Sequence, residues 1–455
     1  MKKFWSDIKQ YPTAIAGLVM ISLIVVLAIV TVIKLPYNEA VILWRGNEED
    51  VYRHPEKVPP TWVNTFRKDN LPVGFYCVFT GEEDATAGNE GKLTVEDNTE
   101  DGILDITYIY EFEFNESDYY QEMMYYLSTT FDEKQPFIEA SIITPEGREI
   151  RTASGGTAPI YRYKFSHDEK LERRVGKVNP MIGMFSTQES IKAGEPEVLN
   201  GTYIIKTRIR AFEPNTEVSA ELVVHGKSYG IAGTDHLRRD ISTALLWGAP
   251  IALAFGLIAA FGISILTMTI SATGTWFGGW IDQLIQRLTE VNMMLPFLPI
   301  LIMVGTFYSR SLWSILGTVI LLSIFSASVK TYRATFLQVK QSTYIEAAKV
   351  YGASNKRIIF RYMIPKIIPM LIPGLVLSIP NYVFLEASLA VLGLGDPTLP
   401  TWGKLINDAY RNGALWNEQY YWILEPAVLL IITGFSFAMV GFALDRIFNP
   451  RLRDQ

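Results

Sequence analysis

The chain has 455 residues, is 49% hydrophobic and has a mean hydropathy of +0.16, which is too apolar for one water-soluble domain and too polar for a chain lying wholly in lipid. Charge divides it the same way: residues 35–241 hold 36 Asp and Glu against 22 Lys and Arg, leaving 11 acids and 19 bases for the rest. The acidic block is excluded as a nucleic-acid surface, and with a single cysteine, Cys77, there is no internal disulfide, so a block of this size must be held by its own core.

Met1–Tyr11 is short and basic, with Lys2, Lys3 and Lys9, and Pro12 opens an apolar run through Ile33. Roughly 20 apolar residues cross a bilayer. The run is too long for a signal-peptide core and lacks an Ala-x-Ala site, so residues 1–34 read as an uncleaved first span with its N-terminus inside. Residues 35–232 contain no spanning segment and read as an extracytoplasmic β-rich domain. Tyr37–Gly74 reads as irregular, with Pro55, Pro59, Pro60 and Pro72, and Gly81–Gly102 as an acidic, Gly-rich loop. Asp97–Gly102 begins like a calcium loop, but Tyr108 stands at the twelfth position, where Glu is needed, so the acids read as solvated.

Strand signals follow. Leu104–Phe114 alternates aromatic and β-branched residues with polar ones, and Glu122–Phe131 reads as a strand. Phe137–Thr144 and Glu149–Thr152 form a hairpin around Pro145-Glu146-Gly147; Thr202–Phe212 and Glu217–His225 form another around Pro214-Asn215. Short strands separated by turn signals predict a β-sandwich. His54, His167, His225 and His236 are too widely spaced for a metal signature, and no catalytic set stands out.

Gly233–Leu253 (GTDHLRRDISTALLWGAPIAL) leads into the second span, Ile241–Ile270, with Thr234 or Asp235 as a helix cap. Gly233, Thr234, Asp235, Arg239, Asp240 and Gly248 resemble the pattern before the second span of the dipeptide/oligopeptide/nickel permease family, with Arg238 standing for a Gly, Thr243-Ala244 for Ser-Arg and Pro250 for Arg. Gly278-Gly279-Trp280-Ile281-Asp282 and Arg287 resemble that family's short inner turn. A third span, Leu288–Phe307, contains Glu290, Asn292, Pro296 and Pro299, and a fourth, Leu312–Val329, follows the brief outer turn Ser309-Arg310. A charge in lipid is costly, so Glu290 faces the bundle interior or water, with pairing to Arg287 or the neighbouring loop preferred over substrate contact.

Eight Lys and Arg then run from Lys330 to Lys366, and positive loops between spans stay in the cytoplasm. Within them, Tyr344–Pro365 reads as helix, bend, helix. Glu346, Ala347 and Ala348 favour a helix, Gly352 ends it in the left-handed conformation, Ser354 caps a second helix from Asn355 to Met363, and Pro365 suits the first turn of the next. Glu-Ala-Ala, Gly352 and Tyr362-Met-Ile-Pro365 at this spacing resemble the EAA coupling loop of ABC-importer permeases, which docks into a groove of the ATPase subunit, with Tyr362 where Ile or His is usual. Span five, Ile364–Leu392, stacks Pro365, Pro369 and Pro373 on one face and ends in Glu386–Gly395 (EASLAVLGLG) before Thr401-Trp402-Gly403, which resembles a further signature of the family. Span six is Trp422–Leu444, and Asn449–Arg453 resembles the family's Asp-Pro-Arg-Leu-Arg tail.

The reading is therefore an α-helical polytopic membrane protein of six spans, both ends inside, whose permease domain, residues 233–455 with a coupling loop at 333–365, follows an extracytoplasmic β-sandwich inserted between helices one and two. The resemblance implies a cell-membrane permease subunit without enzymatic activity, a sister permease, two ABC ATPase subunits that bind ATP and Mg, and an extracytoplasmic solute-binding protein. No Gly-x-x-x-x-Gly-Lys-Ser/Thr loop occurs, so ATP is the partners' affair. Peptides stand first among the solutes implied, oligosaccharides second and nickel last, since no His, Cys or Met cluster lines a span. Glu346, Ala347, Ala348, Gly352, Tyr362 and Pro365 are the expected coupling residues, Gly233–Asp240 an outer-gate motif, and Glu290, Pro296 and Glu386 gating or lumen candidates. A membrane-anchored sensor or adhesin, with the sandwich as its working part, is the alternative of another class.

Overall fold

Two units emerge from the packing of the chain: Met1–Arg45 with Thr243–Gln455, and Gly46–Ser242. The structure, a computed structural model, describes residues 10–45, 51–79, 86–87, 91–99, 103–213 and 216–448. The basic residues before 10, half of the Gly81–Gly102 loop, the Pro214-Asn215 turn and the Asn449–Arg453 tail lie outside them; the described half of that expected loop is not loop throughout, since Thr86–Ala87 and Lys92–Asp97 are strands.

Helix α1, Pro12–Lys34, takes the first apolar run with Pro12 in its opening turn, where a missing N–H is harmless. At ~1.5 Å per residue its 23 residues reach about 34 Å. The expected irregular stretch Tyr37–Gly74 is irregular only in its later part, where 52–74 runs as turns, bends and one 3-10 turn. Tyr37–Arg45 is helix α2, because Ala40 and Trp44 bury one face of it, and Ala40 joins a cluster with Trp247, Ile251 and Phe255.

The second unit is built of ten strands: β1 Phe75–Val78, β2 Thr86–Ala87, β3 Lys92–Asp97, β4 Leu104–Phe114, β5 Glu122–Thr130, β6 Phe137–Ile143, β7 Glu149–Gly156, β8 Ile160–Lys164, β9 Gly201–Ala211 and β10 Glu217–His225. Short helices α3 (Glu169–Arg174), α4 (Pro180–Met184) and α5 (Gln188–Ala193) lie between β8 and β9, and a 3-10 turn spans Thr61–Phe66. The strands form two antiparallel sheets, β2-β1-β10-β5-β8 and β3-β4-β9-β6-β7. Alternation decides which side is inside. Tyr108, Tyr110, Phe112 and Phe114 of β4 and Tyr203, Ile205 and Ile209 of β9 meet Phe75, Met123, Tyr125, Leu127 and Leu222 of the other sheet in one core. The Tyr125 hydroxyl crosses that core to the Thr207 hydroxyl at 2.7 Å. Cys77 is buried there, and burial pushes its thiol up to about 12, so it is inert.

One pairing departs from expectation. β9 and β10 are not a hairpin: β9 pairs with β4 and β6, whereas β10 pairs with β1 and β5. The turn between them carries the chain from one sheet to the other. A Pro-Asn turn signal reports only that the chain reverses, and a five-residue link serves an arch between sheets as readily as a hairpin.

The helical unit resumes with α6, Ile241–Phe277, then α7 Gly279–Met294, α8 Phe297–Phe307, α9 Leu312–Ile324, α10 Ala327–Lys340, α11 Thr343–Val350, α12 Ile364–Leu389, α13 Trp402–Arg411 and α14 Tyr421–Phe448. Spans three and four are therefore not single helices. α7 and α8 meet at 78° and α9 and α10 at 47°, so the described residues hold four helices long and apolar enough to cross a membrane, or six if each bent pair is one span. Leu295-Pro296 explains the first break, since the residue before proline avoids helical backbone. α1, α6, α12, α13 and α14 converge on a shared core of Ile24, Ala28, Ala252, Ile379, Val383, Trp402 and Phe437.

Candidate functional site

Helix α11 is the centre of the site. Ile345 and Ala348, three apart and thus on one face, are buried; Ile345 packs in a cluster with Met268 and Ala272 of α6, Phe336 of α10, and Ile358, Ile359 and Met363. The opposite face is open: Glu346 and Ala347 are exposed, and Val350 and Tyr351 are 85% and 89% exposed. Ala347 and Ala348 thus do different work, one facing out and one in. Gly352 has φ of 77°. Its N–H donates to the Lys349 carbonyl at 2.9 Å and the Ala353 N–H donates to the Ala348 carbonyl at 3.0 Å, the paired bonds that close a helix through a left-handed residue. A Cβ at Gly352 would meet open space, so only the backbone requires glycine there.

Ser354 Oγ then accepts the Arg357 N–H at 3.4 Å. The second helix does not stop at Met363. The backbone runs on through a π-helical stretch, Ile358–Met363, into α12 and a second π-helical turn, which breaks at Gly393, where φ is 84°. Pro365 cannot donate and its ring crowds the preceding turn, and the wider π-helical turn lies directly before it. Tyr362 is half-buried against the α11 cluster, and Pro365 is exposed.

The loop is anchored by cations. Lys340 Nζ donates to the carbonyls of Thr275 and Trp276 at 2.7 and 2.9 Å, satisfying the free end of α6. Lys349 Nζ lies 4.8 Å from the centre of the Trp276 ring. Arg333 on α10 forks onto Asp282 of α7, with Nε 2.7 Å from Oδ1 and Nη2 2.5 Å from Oδ2. Glu290 is half-exposed and pairs with Arg287 at 2.9 Å and Lys330 at 3.8 Å, so it belongs to this ion-pair belt. Lys356, Arg357, Arg361 and Lys366 are exposed.

The two helix breaks share a polar clamp. Asn292 Nδ2 on α7 donates to the carbonyls of Leu322 and Phe325 at 2.7 and 3.0 Å, and Thr267 Oγ1 on α6 donates to that of Ile324 at 3.0 Å. These carbonyls are freed where α9 gives way to α10. Pro296 is exposed at the α7–α8 break, as the residue preceding α8. Glu386 is 5% exposed, on α12, with the Thr401 hydroxyl as a hydrogen-bond partner. The neighbouring signature is a packing device. The Trp402 ring lies where a Cβ on Gly248 would be 2.2 Å away, its Nε1 donates to the Leu245 carbonyl at 2.9 Å, and Asn407 Nδ2 donates to the Val391 carbonyl at 2.6 Å.

The Gly233–Asp240 motif lies in the β-rich unit. Asp235 is fully buried and pairs with Arg239, Nε to Oδ2 at 2.6 Å, while its other oxygen accepts the N–H groups of Leu237 and Arg239. Thr234 Oγ1 accepts the Val58 N–H at 3.2 Å. Neither Thr234 nor Asp235 caps α6: Asp240 does, with Oδ1 2.8 Å from the Ser242 N–H. Arg238 has φ of 61°, the left-handed backbone that its glycine in the resembled pattern would adopt freely. Its guanidinium donates to the His54 carbonyl at 3.0 Å and sits 3.1–3.3 Å from the ring nitrogens of His225. His225 Nε2 donates to the Tyr52 carbonyl at 2.7 Å, and burial beside Arg238 depresses its pKa to about 3. Sequence reasoning missed Lys340, the Asp282–Arg333 fork and the Asn292 clamp. Asn292 stands out as an amide in an apolar run, which is a usable signal; Asp282 stands in the inner-turn motif, but nothing in the sequence pairs it with Arg333, 51 residues away.

Residues 252–454 match the family described as binding-protein-dependent transport system inner membrane component. The dipeptide transport system permease protein DppC of Alkalihalophilus pseudofirmus is 28% identical over 224 residues, 49% of this chain and 72% of that protein. DppC of Bacillus subtilis is 29% identical over 225 residues, 49% and 68% of the two. The glutathione transport system permease protein GsiD of Pectobacterium atrosepticum is 28% identical over 222 residues, 49% and 72%. The family match begins beyond the β-rich unit.

Proposed function

We propose, from the match of residues 252–454 to the family of binding-protein-dependent transport system inner membrane components, that this chain is the permease subunit of an ABC importer for short peptides. The observation that carries the coupling part of this reading is the two-faced α11. Ile345 and Ala348 fix it to the helical unit, while Glu346, Ala347, Val350 and Tyr351 present an open face at a bend set by Gly352. That face suits a groove in a separate ATPase subunit, which supplies the ATP and Mg. Counting each bent pair as one span gives six, with the basic Lys330–Lys366 segment and both termini inside and residues 35–240 outside. A sister permease completes the pore, an extracytoplasmic binding protein delivers the solute, and the β-sandwich serves as a rim on which that protein docks.

Alternating access follows from differential docking. Two ATPase states hold α11 differently, and the helices fixed to it move with it. The test is uptake of labelled di- and tripeptides into vesicles holding the purified complex. Glu346→Lys with Gly352→Val must abolish uptake and ATPase co-purification while membrane insertion persists; undisturbed uptake overturns the coupling assignment. Uptake of an oligosaccharide or nickel instead of peptide overturns the solute alone.

A further inference from the structure

The β-sandwich carries a basic groove of its own, outside the residues that match the transport family. Strands β7 and β8 are the terminal strands of the two sheets and are joined by residues 157–159. Between them and α3 lies a groove of about 640 Å³, lined by Arg151, Arg162, Lys164, Lys170 and Arg174 over Tyr161 and Tyr163. The charge is local. Residues 148–177 hold eight Lys and Arg against four Asp and Glu, while the rest of 35–241 holds 14 bases against 32 acids. Two acids line it, and both are occupied: Asp168 accepts the Tyr163 hydroxyl at 2.6 Å and the N–H groups of Lys170 and Leu171 at 2.8 and 3.2 Å, and Glu169 lies 3.4 Å from Arg173. Of the bases, Arg151 is paired with Glu139 at 2.5 Å. Arg162 and Lys170 are exposed, and among the described residues neither lies within ion-pair distance of an acid.

The two edges differ. The β7 edge is closed, because its Arg151 and Thr152 carbonyls accept from Arg174 Nη1 at 2.7 Å and the Tyr163 hydroxyl at 3.2 Å. Among the described residues β8 pairs with β5 alone, which leaves its other edge open to a further strand. Arg162 and Lys164 stand at alternate positions on it, roughly 6.6 Å apart along the strand, the spacing at which an added strand would present its own alternate side chains; Lys164 already lies 3.4 Å from Glu122, so Arg162 is the cation of the pair with no acid at ion-pair distance among the described residues. We infer that β8 takes up an extended acidic polypeptide segment as an additional strand, with acids at alternate positions meeting Arg162 and Lys164 and its flank meeting Lys170.

Charged edges also serve merely to prevent strand addition, and the experiment separates the two. The full-length protein in nanodiscs is titrated into a fluorescein-labelled octapeptide alternating Glu and Thr, and anisotropy is read at low and high salt. Comparators are the same composition with the glutamates in one block, a Lys-Thr counterpart, and polygalacturonate. The expected result is saturable binding of the alternating peptide, weaker at high salt, and about tenfold weaker in Arg162→Glu/Lys170→Glu as attraction across the strands turns to repulsion. Both positions are exposed, and an unchanged thermal unfolding midpoint confirms the variant is folded. Absence of saturation, equal affinity in the variant, or equal affinity for the blocked peptide or polygalacturonate overturns the inference.

Discussion

Arg238 holds a backbone conformation that costs an L-residue ~1–2 kcal/mol, and its guanidinium offsets that through the His54 carbonyl and the His225 ring. Arg238→Gly loses the hydrogen bonds and gains conformational ease; Arg238→Ala loses both, so it should be the less stable of the two by about 1 kcal/mol in denaturant titration. His225 gives a pH prediction with a definite sign. In the folded protein it stays neutral down to about pH 3, while in the unfolded chain it takes a proton near 6.5. Between those values the unfolded state holds more protons, so stability falls as pH drops from about 6.5 toward 3. The loss is on the order of a few kcal/mol, and His225→Gln should flatten that limb of the unfolding midpoint against pH.

At the scale of elements, α11 and its turn make the sharpest claim. Gly352→Val meets no neighbour, so its effect is conformational: it should re-aim the Ser354 turn and uncouple transport without unfolding the chain, read as lost uptake at normal expression. Asn292→Ala leaves the Leu322 and Phe325 carbonyls without their donor and should cost about 1–3 kcal/mol of thermal stability; Asn292→Leu should do no better. The α11 turn was legible in the sequence because its signals are local: helix formers, then Gly352, then Ser354. The breaks in spans three and four were not, because apolar composition continues through them and hydropathy does not register direction. β4 was legible for its strict alternation, whereas the crossing from β9 to β10 was hidden, since both strands alternate and only the partner across the core tells arch from hairpin. Anchoring contacts such as those of Lys340 escaped because their targets are backbone carbonyls, which no sequence pattern displays.

For the molecule as a whole, the charge split foretold two units, and their limits follow side-chain burial rather than hydropathy: α2 joins the helices through Ala40, and Gly233–Asp240 joins the sandwich through Thr234 and Asp235. Affinity capture through a tag on this chain should recover an ABC ATPase and a second permease; capture of neither would favour the sensor reading. Excising residues 46–232 while keeping Gly233–Asp240 should leave insertion and ATPase capture intact but weaken affinity for the solute-binding protein, measured by its association with vesicles. Equal affinity would remove the docking role from the sandwich.

The helical run from Asn355 to the left-handed Gly393 has a mechanical corollary. At ~1.5 Å per residue it forms a rod of roughly 55–60 Å, with the bend after α11 at one tip and Gly393 at the other. Rotating such a rod by about 10° about its base would sweep the distant tip through roughly 10 Å, a bore-sized excursion from a small push. Pro369, Pro373 and Pro380 interrupt its hydrogen bonding midway, so part of any push would be absorbed as flexure, and filling those positions with alanine should stiffen the stroke.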